Sequence, residues 1–285
     1  MRSNVTQYDL IAPTSLDAVL QILADSPDHY TPIAGGTELM VALGAGRLQP
    51  KKFISLWNLE ELRFIEDTPD AIVIGSGSTF TDIRNHSAIA RHFPLLTQAA
   101  SWTGSIANQN RGTLGGNIIN ASPAADSPPA LLAYDAELTL VSARGERTMP
   151  YRDFHLDYKK TALAPDELLH SITILCNFTD YTNYTRKVGA RNAQAISKVA
   201  IAALALLRDN IIQDIRIGAA SLREVPTRLH ATEQSLLRQP ITPQTIAAAR
   251  AALIRESKPI DDIRSTAKYR AATAANLLEE FLNTL

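Results

Sequence analysis

The sequence of 285 residues contains a single cysteine, Cys176. One thiol cannot form an internal disulfide, and an iron–sulfur cluster needs several cysteine ligands. Any cluster that works with this chain is therefore expected on another polypeptide. Cys176 ends the segment Ser-Ile-Thr-Ile-Leu-Cys (171–176), which is typical of a buried strand. This setting favours a small buried side chain over a catalytic thiol.

A strong charge of either sign is also lacking. The chain has 28 Lys and Arg residues against 29 Asp and Glu residues, so its formal net charge is −1. Such a chain has no bulk field that would attract nucleic acid or an anionic membrane. No apolar run approaches the roughly 20 residues of a membrane-spanning helix, and residues 1–6 lack the apolar core of a signal peptide. We therefore expect a cytoplasmic protein that binds neither nucleic acid nor membranes.

The sequence shows no set of side chains typical of acid–base, nucleophilic or metal catalysis. Its six histidines are scattered along the chain, and an isolated histidine is more often structural than a ligand. We expect no catalytic side chain and no metal site on this chain.

Helical and extended patterns alternate along a chain of ordinary globular composition, with 45% hydrophobic and 20% charged residues. Apolar spacing and capping residues predict helices, and β-branched runs between turn residues predict strands. The predicted helices cover residues 16–25, 81–91, 94–100, 243–254 and 265–282. The predicted strands cover residues 30–34, 53–57, 71–75, 137–141, 147–149, 167–176, 199–207 and 211–217. The fold class is therefore mixed, α+β.

Two glycine-rich segments are the most informative part of the sequence. Residues 32–39 end an extended run in Gly35 and Gly36 followed by a hydroxyl, and residues 111–126 contain three closely spaced glycines, several short polar side chains and Asp126. Successive N–H groups in such turns can form a concavity that binds an anion. Neither segment matches the Gly-x-Gly-x-x-Gly dinucleotide fingerprint or the P-loop. A Gly-Gly pair alone is more often a tight turn, so from the residues alone an anion site and two turns remain open alternatives.

The sequences Ala-Gly-Gly-Thr-Glu (34–38) and Thr-Leu-Gly-Gly-Asn-Ile-Ile-Asn-Ala-Ser-Pro-x-x-Asp (113–126) resemble the two flavin-binding signatures of the FAD subunit of molybdenum hydroxylases, the xanthine dehydrogenase family. Residues 158–172 and 186–187 are similar to the same domain, and residues 218–220, 226–228 and 262–270 to the family's carboxy-terminal flavoprotein module. The likeness spans essentially the whole chain. It implies a two-lobed FAD-binding domain of the vanillyl-alcohol-oxidase type (lobes at residues 1–60 and 61–177) followed by an α+β flavoprotein domain at residues 178–285.

The resemblance also implies which residues hold FAD. The segment 33–39 would wrap the diphosphate, and Thr113, Gly116 and Asn117 would form the opposite wall. The implied set is Ile33, Ala34, Gly35, Gly36, Thr37, Glu38, Leu39, Thr103, Thr113, Gly116, Asn117, Asn120, Asp126, Leu169 and Lys187.

Several of these residues also have a plainer interpretation. Asp126 is typical of a loop acid that bonds its own backbone, Glu38 of a residue that caps its own turn, and Leu169 of core filling. Lys187 on its own would be interpreted as a solvated lysine, whereas the resemblance gives it the role of offsetting negative charge on the cofactor.

The function implied by the resemblance is electron transfer. A molybdopterin subunit would hydroxylate the substrate, 2Fe–2S clusters on an iron–sulfur subunit would relay electrons, and FAD on this chain would pass them to NAD⁺ or another acceptor within a hetero-oligomer. Two alternatives remain open: a self-contained flavin oxidase of the vanillyl-alcohol-oxidase type, and a non-catalytic scaffold subunit. The family often has an acidic residue shortly after the position of Lys187, whereas residues 191–196 read Arg-Asn-Ala-Gln-Ala-Ile, so the identity of the acceptor is left open.

Overall fold

The structure is a computed structural model that describes residues 5–49, 51–192 and 194–285. Residues 1–4 of the amino-terminal segment and Ala193 of the segment 191–196, both used in the sequence analysis, lie outside the described residues. The described part contains no helix that is long and apolar enough to cross a membrane.

The amino-terminal part forms a small parallel sheet with the strand order β1-β3-β2. Its elements are β1 (Asp9–Ile11), α1 (Leu16–Asp25), β2 (Thr31–Ile33), α2 (Leu39–Gly44) and β3 (Lys52–Ser55). The predicted start of α1 is confirmed, because the Ser15 hydroxyl accepts a hydrogen bond from the N–H of Ala18. The buried face of α1, Val19, Leu20 and Leu23, packs with Ile54 of β3, so the sheet positions the first glycine segment directly after β2.

The central part is built on an antiparallel sheet with the order β4-β5-β10-β6-β7. Its elements are β4 (Ile65–Asp67), β5 (Ala71–Gly75), α3 (Phe80–Asn85), α4 (Ser87–His92), α5 (Pro94–Trp102), α6 (Ile106–Gln109), α7 (Leu114–Ile119), α8 (Pro128–Ala133), β6 (Glu137–Ser142), β7 (Gly145–Pro150), β8 (His155–Asp157), β9 (Lys160–Thr161) and β10 (Leu168–Leu175). Short 3₁₀ turns occur at Val5–Gln7, Glu60–Leu62 and Tyr151–Asp153.

Alternating apolar residues fix the register of this sheet. Ile172 of the central strand β10 lies opposite Ile74 on one side and Leu138 on the other, and all three are fully buried. A slip of one residue would turn these side chains to the other face of the sheet. Between Leu169 and Ser171 the pairing with β6 shifts, and the carbonyl of His170 accepts from the N–H of Ser76 instead. This hydrogen bond connects β10 to the loop of residues 76–78, and the carbonyls of this loop bind the second glycine segment.

The carboxy-terminal part is an antiparallel sheet in the order β11-β12-β13-β14 with three helices packed on it. Its elements are β11 (Thr182–Val188), β12 (Val199–Arg208), β13 (Ile211–Ala220), β14 (Thr227–Arg228), α9 (His230–Leu236), α10 (Pro243–Glu256) and α11 (Ala267–Leu282). Strand β12 is buried on both faces: Ala202 and Leu204 join the core of the central part, while Ile201 and Ala203 join the core formed with the helices. The small alanines of this strand let α8 pack on one face and α11 on the other.

The structure corrects three expectations about individual elements. The helix predicted over residues 81–91 is two helices, because His86 takes an extended conformation (φ −81°, ψ 119°) that ends α3 and begins α4. Cys176 is half-buried and lies one residue beyond β10, rather than inside a buried strand. The final helix begins after Thr266, whose hydroxyl accepts from the N–H of Tyr269, so it is two residues shorter than predicted at its amino end.

Candidate functional site: the seam between two glycine segments

The first glycine segment leaves β2 and enters α2 through a turn that only its glycines allow. Gly36 has φ +73°, a left-handed conformation that L side chains rarely adopt. Its carbonyl accepts from the N–H of Met40, which tightens the turn. The N–H groups of Gly35, Gly36 and Thr37 have no acceptor among residues 5–49, 51–192 and 194–285. Three successive donors are therefore available to a ligand at this turn.

The two glycine segments are in direct contact. A Cβ at Gly35 would lie 1.7 Å from the carbonyl oxygen of Arg111, so only glycine permits this approach of the two backbones. On the other side of the contact, a Cβ at Gly112 would lie 3.5 Å from the Thr37 hydroxyl. We refer to the boundary between residues 33–39 and 111–120 as the seam.

The second segment is held rigidly against the central sheet. The N–H groups of Leu114 and Gly115 donate to the carbonyls of Ser78 and Ser76 (3.0 and 2.9 Å), so the chain before α7 runs beside residues 76–80. Thr113 is the N-cap of α7, and its hydroxyl accepts from the N–H of Gly116 at 3.0 Å. The N–H groups of residues 111, 112 and 114–117 are used within the protein, whereas that of Thr113 has no acceptor among the described residues. This wall of the seam therefore offers the N–H and the hydroxyl hydrogen of Thr113.

Two asparagines on α7 are oriented by neighbouring side chains. The Asn117 Oδ1 accepts from the hydroxyl of Ser127 at 2.6 Å, which leaves the amide nitrogen of Asn117 as a donor. Asn120, the C-cap of α7, accepts from the Lys159 ammonium with both its carbonyl and its Oδ1, each at 2.7 Å. Both asparagines are thus fixed in orientation before any ligand binds.

Asp126 and Lys187, two residues of the implied set, form a buried ion pair. The Lys187 Nζ lies 2.8 Å from Asp126 Oδ2 and 3.2 Å from the carbonyl of Trp102, and the Ser197 hydroxyl donates to Asp126 Oδ1 at 2.8 Å. The two side chains are 12% and 10% exposed. Burial raises the pKa of the Asp126 carboxyl above its usual range, while Lys187 and the Ser197 hydroxyl act in the opposite direction. The plainer interpretations, a backbone-bonded loop acid and a solvated lysine, are therefore wrong for this pair.

Two further residues of the implied set are bonded or packed locally, and a third is exposed. The Thr103 hydroxyl donates to the carbonyl of Ala99 at 2.9 Å, at the end of α5. Leu169 is 4% exposed and packs in the core of the central part, as the core-filling interpretation expects. Glu38 precedes α2 as its N-cap residue but forms no side-chain capping bond, and it is exposed. The expectation that Glu38 caps its own turn is wrong.

The structure adds groups near the seam that the sequence did not single out. Ser197 belongs to the carboxy-terminal part, and its partner Asp126 lies 71 residues earlier in the chain. The Arg111 guanidinium lies over the ring of Trp57 at 3.7 Å, which joins the loop after β3 to the second glycine segment. The third such group is the Lys159 ammonium, which is hydrogen-bonded to Asn120. These contacts join residues far apart in sequence, so no local pattern could have revealed them.

These groups together suit an anionic, nucleotide-like ligand. Backbone N–H groups, a hydroxyl and a carboxamide can hold phosphate oxygens without fixed charge. Among the described residues no group of three or more His, Cys, Asp or Glu side chains could hold a metal ion.

Comparisons with known proteins identify the family. Residues 6–174 match the family model of the FAD binding domain in molybdopterin dehydrogenase, and residues 184–285 match that of the CO dehydrogenase flavoprotein C-terminal domain. The chain belongs to the FAD-binding subunits of the molybdenum hydroxylase family, a family of oxidoreductases. The resemblance noted in the sequence and the expected α+β fold class are thereby confirmed.

Particular relatives cover nearly the whole chain. The xanthine dehydrogenase FAD-binding subunit of Escherichia coli O157:H7 is 31% identical over 261 residues, which are 91% of this chain and 89% of that protein. The carbon monoxide dehydrogenase medium chain of Hydrogenophaga pseudoflava is 26% identical over 277 residues, with 97% and 96% of the two chains covered. A solved structure of carbon monoxide dehydrogenase from the same organism superposes with a TM-score of 0.93 at 26% identity and covers 97% of this chain and 96% of that one.

Proposed function

We propose that FAD binds in the seam, with its diphosphate against residues 33–39 and its remaining contacts from the opposite wall and the buried ion pair. The proposed contact residues beyond residues 33–39 are Thr103, Thr113, Gly116, Asn117, Asn120, Asp126, Leu169 and Lys187. The observation that supports this most strongly is the row of N–H groups at Gly35, Gly36 and Thr37 that have no acceptor among the described residues. Buried or half-buried backbone donors are normally paired, so such a row favours an anionic ligand.

The residues of the chain would bind and orient FAD rather than perform acid–base catalysis. When bound, FAD supplies the ability to accept and release electrons, which no side chain here offers. Asn117 and Asn120 are oriented by Ser127 and Lys159, and the largely buried pair of Asp126 and Lys187 brings a fixed dipole to the site. Preorganised groups of this kind need no rearrangement when a cofactor changes charge.

We further propose that the chain receives electrons from 2Fe–2S clusters on an iron–sulfur subunit and passes them to NAD⁺ or another acceptor. The chain has one cysteine, so its own residues offer no cluster site of the cysteine type. Relatives are named as a medium chain and as a subunit of a dehydrogenase complex, which supports a heteromeric assembly with a molybdopterin subunit as well. A cytoplasmic location is part of the same proposal.

The test is spectroscopic. The chain is purified alone and titrated with FAD, and a sample with bound FAD is mixed with NADH without oxygen. We expect the visible bands of a flavoprotein without those of an iron–sulfur cluster, and bleaching of the flavin band if NAD⁺ is the acceptor. A chain that is colourless after incubation with excess FAD and removal of the unbound FAD would contradict the binding proposal. Turnover of a small alcohol by the isolated chain would contradict the electron-relay role and favour a self-contained oxidase.

A second experiment distinguishes the acceptors. The bound flavin is first reduced chemically, and its reoxidation by a quinone or by oxygen is then followed. Flavin that NADH leaves oxidised, but that a quinone rapidly reoxidises after chemical reduction, would show that NAD⁺ is not the acceptor. This result would leave the binding proposal intact.

A further inference from the structure

Lys159 occupies an unusual position in the turn between β8 and β9. Its φ is +58°, in the left-handed region where Gly and Asn are favoured over lysine. From this turn its ammonium reaches Asn120 and donates to the carbonyl and to Oδ1, both at 2.7 Å. A residue held in a strained conformation is a reason to look for a function of its side chain.

The charge of Lys159 is not neutralised by its hydrogen-bond partners. Both acceptors on Asn120 are neutral oxygens, and within the described part of the chain no carboxylate lies within ion-pair distance of the ammonium. Burial lowers the pKa of Lys159, while the charge of the nearby Glu38 raises it. Lys187 differs in this respect, because Asp126 lies 2.8 Å from it and cancels its charge.

Lys159 is hydrogen-bonded to Asn120 on one wall of the seam, and the charge of Glu38 on the other wall acts on it. Asn120 ends α7, the helix that Thr113 begins on one wall, and Glu38 stands at the start of α2 on the other wall. An ammonium group has three N–H donors, and Asn120 accepts two of them. One donor therefore remains beside the seam, together with a positive charge that no carboxylate within ion-pair distance offsets among the described residues. Arg111, a cation within the seam, is stacked on the ring of Trp57.

We propose that Lys159 is an anion-binding residue that contacts the phosphate groups of the flavin nucleotide in the seam. The inference rests on the proposed function, because it needs a phosphate-bearing ligand there. A dianionic diphosphate bound only by neutral N–H and hydroxyl groups would have no opposite charge in direct contact, and the burial of an unpaired charge is costly. Lys159 supplies the compensating charge, whereas Lys187 is already neutralised by Asp126.

The experiment compares Lys159→Gly with Lys160→Ala. Glycine accepts the positive φ, so the first variant removes the ammonium without adding backbone strain. Lys160 is the neighbouring lysine, 72% exposed and 3.6 Å from Asp157, and serves as the matched control. FAD binding to each purified chain is measured by equilibrium titration at low and high salt, and the phosphorus resonances of bound FAD are recorded by NMR.

For Lys159→Gly we expect FAD affinity to fall about tenfold or more at low salt, because a hydrogen bond to a charged group is lost. The loss should shrink at high salt, where the wild-type interaction is screened. The phosphorus resonances should shift, and Lys159→Arg should retain most of the affinity. Lys160→Ala should match the wild type in all of these measurements.

Two results would overturn the inference. Equal FAD affinity of Lys159→Gly and Lys160→Ala at low salt would show that the ammonium does not contact the ligand. The second result is a loss of FAD affinity in Lys159→Gly that has the same size at every salt concentration and also occurs in Lys159→Asn. It would show that Lys159 only anchors Asn120. A wild-type chain that binds no FAD would refute the proposed function instead, so the two failures are distinguishable.

Discussion

The Lys187 ammonium and the Asp126 carboxylate lie 2.8 Å apart, although 61 residues separate them in the sequence. Asp126 belongs to the loop after α7, and Lys187 belongs to β11 of the carboxy-terminal part. Because Ser197 also donates to Asp126, one carboxylate connects the region that follows the second glycine segment to two positions of the carboxy-terminal part. The proposed cofactor site and the contact between these two parts of the chain therefore depend on the same residues.

The first prediction concerns this pair. Asp126→Asn leaves the Lys187 charge buried without a partner, and we expect the free energy of unfolding to fall by about 3–5 kcal/mol. Lys187→Met should lower the free energy of unfolding by a similar amount. The double variant should lose less than the sum of the two single losses. Urea unfolding of the four proteins gives the coupling energy.

The matched control for this cycle is the exposed pair of Lys160 and Asp157. Lys160→Met should change the free energy of unfolding by less than about 1 kcal/mol, since exposed ion pairs contribute little. Additive losses in the buried cycle would show that Asp126 and Lys187 are not coupled in solution.

The second prediction tests the contact between the glycine segments. In Gly35→Ala the new methyl group would meet the Arg111 carbonyl, so the two segments must separate. We expect a loss of roughly 1–3 kcal/mol in the free energy of unfolding, as for other overpacked sites. Gly44→Ala is the control, because no atom lies within 4 Å of its Cβ position and Gly44 is the last residue of α2. It should be neutral or slightly stabilising, and equal effects of the two variants would contradict the contact.

The sequence predicts those parts of the fold that depend on residues close together in the chain. Strands β12 and β13 contain the strands predicted over residues 199–207 and 211–217. Between them, Asp209 and Asn210 adopt the positive φ values, 52° and 60°, that a two-residue hairpin turn requires. Ser15 and Thr242 are the N-caps of the helices predicted from residues 16 and 243, and such caps are predictable because capping depends on residues only a few positions apart. The division into residues 1–60, 61–177 and 178–285 stays a prediction.

The sequence predicts those site residues that are recognised from their immediate neighbours in the chain. Gly35 and Gly36 stand next to each other and so could be interpreted from the sequence. The pairing of Asp126 with Lys187, the position of Lys159 beside Asn120, and the break of the helix at His86 each depend on tertiary contacts or on one backbone conformation. No periodicity in the sequence encodes such features.

The third prediction concerns pH. Burial lowers the pKa of His155, whose Nε2 lies 3.0 Å from the carbonyl of Ile118 in α7. As the pH falls below about 6.5, the usual pKa of histidine, the unfolded chain binds a proton before the folded chain does. The stability contributed by neutral His155 is therefore complete above that pH and is lost as the pH falls towards the folded pKa.

Urea unfolding at several pH values between 8 and 5, in about half-unit steps, measures this effect. The wild type should lose more stability on acidification than His155→Gln, which keeps a side-chain donor for Ile118 but does not titrate. Parallel pH profiles of the two proteins would show that His155 does not contribute.

The fourth prediction tests the stacking of Arg111 on Trp57. Arg111→Ala removes a cation that lies 3.7 Å from the ring centre, and we expect a loss of about 0.5–1 kcal/mol in the free energy of unfolding, together with a change in tryptophan emission. Arg111→Lys should restore only part of the stability, because a lysine lacks the planar group that stacks.

Trp57 is one of two tryptophans in the chain, so the origin of the emission change can be checked directly. In a Trp57→Phe background, Arg111→Ala should leave the remaining emission unaltered. An emission change that persists in this background would assign the effect to Trp102 and contradict the stack.

The most direct test of FAD binding in the seam is an equilibrium titration of the purified chain with FAD, compared with Gly36→Val and Gly44→Ala. We expect saturation of the wild type at one FAD per chain and unchanged affinity in Gly44→Ala. In Gly36→Val the affinity should fall by about tenfold or more, because a β-branched residue cannot adopt the φ of +73° that exposes the N–H groups. Equal FAD affinity in all three proteins would contradict the seam as the cofactor site.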